Sequence, residues 1–298
     1  MIKHVTTNLI TGQKAVNDSG FLTVKLPSAG GISGLELTAR ATNGAGGSAS
    51  YGLLASITKI EIKTLHGQGI LDMSGTELYR LLQLRTREAP QLSEGTGAGA
   101  VQVVKFPLSF ALPGQDEEMG LDMAKYPDAE LKVYYTLHVD AGDGFATKSF
   151  EIDLDARATQ QMQPPGYKGL LTLAEAWHGT TQVQNPHTAN LRMMKDVVGV
   201  YLYAYKSGTA DNALIRNIKM ETRPDKETIV EASFSDLQER SRPIAGAIVP
   251  SWLALWVAPG RLGSQALEPL GHPDIDIKLE ELVADGAIKI FLEELRAA

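Results

Sequence analysis

Apolar and polar residues alternate along much of the chain. In FLTVKL (Phe21–Leu26) every second side chain is apolar. LELTARAT (Leu35–Thr42), SITKIEIKT (Ser56–Thr64), VQVVKFPLSF (Val101–Phe110), ELKVYYTLHV (Glu130–Val139) and KSFEIDLDA (Lys148–Ala156) are similar. So are VVGVYLYAY (Val197–Tyr205), NIKMET (Asn217–Thr222), TIVEAS (Thr228–Ser233) and WLALWVA (Trp252–Ala258). Runs of this kind, rich in Val, Ile, Thr and Tyr, predict half-buried strands, because successive side chains of a strand point to opposite faces. The connections are rich in Gly and Pro. NGAGGSASYG (Asn43–Gly52) and SEGTGAGA (Ser93–Ala100) read as flexible loops, QPPGYKG (Gln163–Gly169) as a stiff turn or linker, and 112–128 and 181–192 as long loops. Helix signals are few. In SGTELYRLLQLR, Ser74 and Glu77 have the spacing of a capping box, and Leu78, Leu81 and Leu82 then share one face; Ser233, Asp236 and Leu237 repeat the arrangement. Many strands, few helices and no strand–helix alternation predict a sandwich or jelly roll.

Part of the pattern is written twice. Ile57, Ile60 and Ile62 match Ile215, Ile218 and Met220 (215 − 57 = 158), and Ile70, Leu71, Ser74 and Leu78 match Ile229, Val230, Ser233 and Leu237 (237 − 78 = 159). DAELKVYY (Asp128–Tyr135) matches DGAIKIFL (Asp285–Leu292) at 285 − 128 = 157. Any one match is cheap, since strands share a small alphabet. Three in order at a nearly constant offset argue for an internal duplication over unrelated β segments. The predicted division is 1–145, with an N-terminal arm at 1–17, and 146–298. Leu279–Leu295 is ambiguous: Leu279, Leu282, Val283, Ala287, Ile290 and Phe291 fit one helical face. Asp285-Gly286 is instead a hairpin turn signal, and a glycine costs a helix interior about 1 kcal/mol, so a closing hairpin is expected.

The 298 residues are 43% hydrophobic and 21% charged, enough apolar material for one or two cores. A net charge of −7 without a block of Lys or Arg excludes a nucleic-acid footprint built on clustered cations. The absence of cysteine removes disulfides, thiolate metal sites and thiol nucleophiles, and fits folding in a reducing cytoplasm. The N-terminal stretch has no apolar run of signal-peptide length, and the longest apolar run, Trp252–Ala258, is seven residues, against the roughly 20 that a spanning helix needs.

Candidate chemistry is sparse. His4, His66, His138, His178, His187 and His272 show no metal-ligand spacing, and each reads as a surface or loop histidine. EGTGAGA follows a helix rather than a strand, the reverse of a phosphate cradle, and neither a P-loop nor a G-x-S-x-G elbow occurs. DAGDG (Asp140–Gly144) offers oxygen ligands for a hard cation but lacks the full calcium loop, so a solvated turn is expected; Asp116–Glu118 reads as a solvated loop tip. Trp252, Trp256, Tyr201, Tyr203 and Tyr205 are candidates for core or interface burial, with plain core aromatics as the default. No catalytic, cofactor-binding or metal-ligating residue is assigned.

ITKIEIKTLHGQGILDMSGTELYRLL (Ile57–Leu82), AELKVYYTLHV (Ala129–Val139) and GAIKIFLEEL (Gly286–Leu295) give the chain, from about residue 18 to its end, a pattern that resembles the double jelly-roll major capsid proteins. These build tailless icosahedral viruses with an internal membrane, notably small lipid-containing bacteriophages of the corticovirus and finnlakevirus kind. The resemblance is of pattern, since the family has no catalytic signature. It implies an all-β chain of two tandem eight-stranded jelly rolls, each of two four-stranded sheets. It also implies a self-assembling structural subunit and no enzyme. Three copies would form a homotrimeric, pseudo-hexameric capsomer with neighbouring capsomers, minor capsid or penton proteins and inner-membrane lipids as partners. Assembly would occur in the host cytoplasm and the final location would be the virion. Two rivals follow from the same sandwiches: a carbohydrate-binding or carbohydrate-active protein with two jelly rolls, and a vertex or spike protein of the same virus type.

Overall fold

A computed structural model of the chain describes residues 4–47, 52–64, 67, 69–85, 90–111, 119–140, 142–159, 166–178, 187–192, 196–206, 209–210, 214–245, 247–257, 274–280 and 286–297. It divides into two compact units: Met1–Leu82 with Ala89–Gly169 and Ala297–Ala298, and Gln83–Glu88 with Leu170–Arg296.

The first unit contains β1 (His4–Lys14), β2 (Ser19–Lys25), β3 (Gly31–Thr42), α1 (Leu53–Ser56), β4 (Ile57–Lys63), β5 (Gly69–Met73), most of α2 (Gly75–Arg85), β6 (Leu92–Ser93), β7 (Val101–Ser109), β8 (Leu121–Asp122), β9 (Glu130–Thr136) and β10 (Glu151–Thr159). One antiparallel sheet runs β1-β10-β3-β7-β6 with β8 beside β3, and another runs β5-β4-β9-β2. Strict alternation makes the core: Leu35, Leu37, Ala39, Val104, Phe106, Ile152 and Leu154 point in from one sheet, and Leu22, Val24, Ile60, Ile62, Leu131 and Val133 from the other, all buried.

The chain continues with β11 (Gly166–His178), which enters the second unit at Leu170, then β12 (His187–Arg192), β13 (Asp196–Lys206), β14 (Thr209–Ala210), β15 (Asn217–Arg223), β16 (Thr228–Ser233), α3 (Phe234–Ala245), β17 (Trp252–Val257), β18 (Asp274–Glu280) and β19 (Gly286–Ala297). Here β11-β19-β13-β17 form one sheet, with β14 extending it beside β13, and β12-β18-β15-β16 the other. Between them lies a core of Val200, Leu202, Leu253, Leu255, Ile288, Ile290 and Leu292 against Ile218, Met220, Ile275, Ile277 and Leu279.

Setting aside the two-residue strands, each unit has eight strands among the described residues, and their order is the same. Counted along the chain, the first, eighth, third and sixth strands make one sheet and the second, seventh, fourth and fifth the other. That is the jelly-roll order, in which the earliest and latest strands pair. In both, the single helix of the crossover follows the fifth strand. Ser74 Oγ accepts from Glu77 N at 3.3 Å while Glu77 Oε2 accepts from Ser74 N at 3.0 Å, which completes the expected capping box. Ser233 Oγ caps α3 through Asp236 N at 3.1 Å.

Several expectations change. Residues 4–14 of the expected arm are strand β1, hydrogen-bonded to β10 over its length. The units divide at Gly169/Leu170 rather than at 145/146, because β10 lies between β1 and β3. Residues 187–192 of the expected long loop are β12, and 166–169 of the expected linker open β11. The first two repeat matches fall on topologically equivalent elements, β4 with β15 and β5–α2 with β16–α3. The third does not: Glu130–Tyr135 lies on β9, a seventh strand, and Gly286–Leu292 on β19, an eighth. The true partner of β9 is β18, and the registers Glu61↔Lys132 and Lys219↔Lys278 put its offset at 278 − 132 = 146. The C-terminal segment is strand and not helix, but β18 and β19 lie in different sheets, so they form no hairpin pair.

Candidate assembly surfaces

Of the four outer sheet faces, one is aromatic and three are charged. In the second unit, β13 sends Val200, Leu202 and Ala204 into the core and Tyr201, Tyr203 and Tyr205 to the opposite face. The rings of Tyr205, Tyr203, Trp252 and Phe291 stack in sequence at centroid spacings of 4.9, 4.7 and 4.9 Å. Tyr201, Trp252 and Phe291 are at most 2% exposed, although they lie outside the sandwich core. These candidates therefore form a second apolar layer; the side chain of Trp256 lies outside the described residues. Glu293 is buried in this layer. It accepts a hydrogen bond from the Tyr201 hydroxyl at 2.8 Å and pairs with Arg85 Nη2 at 2.6 Å, Arg85 belonging with Gln83–Glu88 to the same unit. A buried carboxylate is tolerable when a charge-assisted pair and a hydroxyl both engage it. Gly199 makes the space: a Cβ there would stand 2.7 Å from Tyr201 Cε2 and 2.9 Å from Glu293 Oε2.

The outer faces of the β5-β4-β9-β2 and β12-β18-β15-β16 sheets carry meshes of opposite charges. Lys59 Nζ lies 2.7 Å from Glu61 Oε1 and 3.2 Å from Asp72 Oδ2, with Lys63 also on Glu61. Lys219 Nζ lies 2.8 Å from Glu221 Oε1 and 3.3 Å from Glu231 Oε2, with Lys278 also on Glu221. Arg223 holds Asp276 at 2.6 Å. Both glutamates are nearly covered, at 4% and 6% exposure. Burial pushes the Glu61 carboxyl up, but hydrogen bonds from Lys59 and Lys63 outweigh it and hold the group below the usual glutamate range. Hydrogen bonds from Lys219 and then Lys278 do the same to Glu221. In return Lys219 is raised by Glu221 and Glu231; Lys59, pulled down by burial, is raised overall by Glu61 and Asp72.

The outer face of the first unit's β1-β10-β3-β7 sheet is also charged. Arg40 bridges Glu151, at 2.9 Å, and Asp153; Lys105 faces Glu36 at 3.5 Å; the Asn8 amide donates to Asp155 at 2.8 Å. A recess of about 200 Å³ opens there, lined by Glu36, Pro107, Ser109, Asp155 and Arg157 around Gly34. Gly34 is bare because a Cβ would stand 2.7 Å from the Leu108 carbonyl oxygen.

At a strand end, the loop Ser93–Ala100 is tied to Asn43 where the sequence reads it as flexible. Buried Asn43 donates to the carbonyls of Gly95 and Gly97 at 2.8 and 3.2 Å and accepts from Gln102 Nε2 at 3.1 Å; Gln102 Oε1 accepts from Leu53 N at 3.0 Å. The DAGDG turn brings together Asp140, Asp143 and His138, which reads as a lone histidine in the sequence; their ligand atoms lie within 4.8 Å of one another. All three are exposed, and Asp140 Oδ1 accepts from Gly142 N at 2.7 Å. The side chains of His4, His66, His178, His187 and His272 and the segment Asp116–Glu118 lie outside the described residues.

No protein-family model and no curated protein matches the sequence. Solved structures do match. The chain aligns over 99% of its length with 91% of a chain from the atomic structure of Sulfolobus turreted icosahedral virus, at TM-score 0.79 and 11% identity. It aligns over 99% with 98% of the major capsid protein P2 from bacteriophage PM2, at TM-score 0.69 and 11% identity. The PBCV-1 virus capsid gives TM-score 0.67 and 11% identity over 99% of this chain and 94% of that one. The fold is the double jelly roll. The resemblance seen in the strand pattern therefore extends over 99% of the chain. The carbohydrate alternative finds no support here: the aromatic ladder it would need as an open platform is largely buried.

Proposed function

We propose that the chain is a viral major capsid protein, a structural subunit without catalytic function whose copies self-associate into trimers of six jelly rolls that tile an icosahedral shell. The observation that carries this reading is the end-to-end match of a double jelly roll, over 99% of the chain, to shell subunits of viruses as unlike as a bacteriophage and Sulfolobus turreted icosahedral virus. The physics of the fold supports it. Two packed sandwiches are rigid tiles, and a doubled roll lets a threefold ring of heterologous contacts fill a sixfold position. Neighbouring capsomers, minor capsid or penton proteins and inner-membrane lipids are the partners this role requires, and the virion is its location, reached by assembly in the host cytoplasm.

The decisive experiment is the solution mass of the purified full-length chain. A stable species at three times 32.1 kDa is expected; a strict monomer at high concentration overturns the reading. Copy number per particle separates a shell subunit from a vertex or spike protein, which occurs only at the fivefold positions.

A further inference from the structure

The outer faces of the β5-β4-β9-β2 and β12-β18-β15-β16 sheets each carry a recess at the same place, where the fourth strand ends and the seventh begins. The two have diverged in charge. In the first roll Lys25, Lys63 and Lys132 are matched by Glu61, Asp128 and Glu130. In the second, a recess of about 440 Å³ is lined by Arg223, Lys226 and Lys278 but by only two carboxylates, Glu221 and Asp276, with the Thr188 hydroxyl beside them. Both carboxylates are engaged. Lys219 and Lys278 hold Glu221, while Asp276 accepts from Arg223 Nε at 2.6 Å and from the Asn190 amide at 3.1 Å. Among the described residues Lys226 pairs with no carboxylate, and Arg223 makes its hydrogen bond through Nε alone. Asp225 and Asp274, neighbours of these groups in the chain and across the sheet, do not line the recess.

Lys226 is also held in place. Its backbone is left-handed, at φ +57°, which a residue with a side chain adopts only at a cost. Thr222 fixes the turn: its carbonyl accepts from Lys226 N at 3.0 Å, its amide donates to Glu227 O at 2.9 Å, and its hydroxyl accepts from Glu227 N at 3.1 Å. We propose that this recess of the second roll is a binding site for a tetrahedral oxyanion, a phosphate or sulfate group, free or as an ester. Lys226 supplies the unmatched charge. The terminal nitrogens of Arg223 supply a forked pair of donors, and Thr188 a hydroxyl. The volume is that of a small-ligand site, so an ester with a polar body fits as well as the bare ion. In the first roll a third carboxylate balances the third cation. In the second no lining side chain does so, and the oxyanion brings the counter-charge from outside. The site goes beyond the shell-subunit reading and does not depend on it.

The test is calorimetric titration of the full-length protein with inorganic phosphate, with sulfate and with chloride at matched ionic strength, at a slightly alkaline pH where phosphate is mostly dianionic. Saturable binding of phosphate, sulfate or both is expected, and none of chloride. Equal binding marks a site for the oxyanion itself; a preference for one points to esters of that acid. Lys226→Gln should weaken binding at least ~10-fold, the loss of one charge-assisted hydrogen bond. Lys25→Gln, in the balanced recess of the first roll, should leave it unchanged. No saturable binding beyond that of chloride overturns the site, and so does binding that Lys226→Gln leaves intact. If Lys226→Gln misfolds, hydrogen exchange of the wild-type protein decides: phosphate must slow the amides of Thr222–Thr228, and exchange there unchanged by phosphate overturns the assignment. A chain that binds phosphate but stays monomeric keeps the site and loses the shell reading.

Discussion

Asn43 offers the sharpest test of how the loop end of the first roll is built. Its amide holds three partners at once, Gly95 O, Gly97 O and Gln102 Nε2, from a site only 2% exposed. In Asn43→Ala those three hydrogen bonds vanish. Each neutral bond is worth about 1 kcal/mol net, and a buried group left without a partner costs more. Gly97 is exposed and its carbonyl regains water, whereas Gln102, 2% exposed, does not. The sum is about 2–3 kcal/mol, which for a unit of this size lowers the melting temperature by roughly 5–10 °C. Differential scanning calorimetry should show the first roll's transition moving down. Hydrogen exchange should show the amides of Ser93–Ala100 losing protection while those of β15 and β18 keep theirs. Asn43→Asp should be no milder, because a carboxylate cannot donate to either glycine carbonyl. A melting temperature within about 1 °C of wild type for Asn43→Ala would refute the reasoning, and with it the claim that the Ser93–Ala100 loop is anchored.

Three further outcomes are expected. Glu61 and Glu221 have folded pKa values held below the unfolded value, so their contribution is present above the unfolded glutamate range and is lost as pH falls through the folded values; urea midpoints should be flat near neutrality and drop in acid, and replacing both with Gln should flatten that drop. Arg85→Ala removes the charge partner of buried Glu293, and should cost about 3–5 kcal/mol in denaturant unfolding, against under about 1 kcal/mol for the exposed pair partner in Arg242→Ala. Gly286→Ala would put a Cβ 2.0 Å from Leu214 Cδ1, and the overpacking should cost about 1–3 kcal/mol while Gly67→Ala, at φ +77° but with open space around it, is strained only through its backbone.

Much of the fold is legible in the sequence because β-sandwich strands alternate and capped helices announce themselves. The strands around Leu37, Ile60, Val133 and Ile218 follow from period alone, and Ser74 with Glu77 marks α2. β1 is not legible. Its HVTTNLITGQK is polar, it is an edge, and two register shifts, at Asn8/Ile10 and Ile10/Gln13, break its alternation. β12, in HTANLR, is a similarly polar edge. The mismatch of β9 with β19 has the opposite cause: both are buried strands drawn from the same few residues, and only hydrogen-bond register tells a seventh strand from an eighth. The surfaces are partly legible. Tyr201 and Trp252 are conspicuous aromatics, but their placement opposite the core depends on which side of β13 is inside, and Arg85 meets Glu293 from more than two hundred residues away.

The pairing of β1 with β10 has a consequence for synthesis. His4 must wait for Thr159, 159 − 4 = 155 residues later, before its backbone amides are bonded. At ribosomal speeds of about 5–20 residues per second, that delay is roughly 8–30 s. Throughout it the emerging β1 segment is an unzipped ribbon beside other nascent chains on the same messenger. Its threonines, asparagine, glutamine and lysine keep that ribbon wet and unattractive to its neighbours, so the dullness that hides it from pattern reading is also what carries it safely to its late-arriving mate.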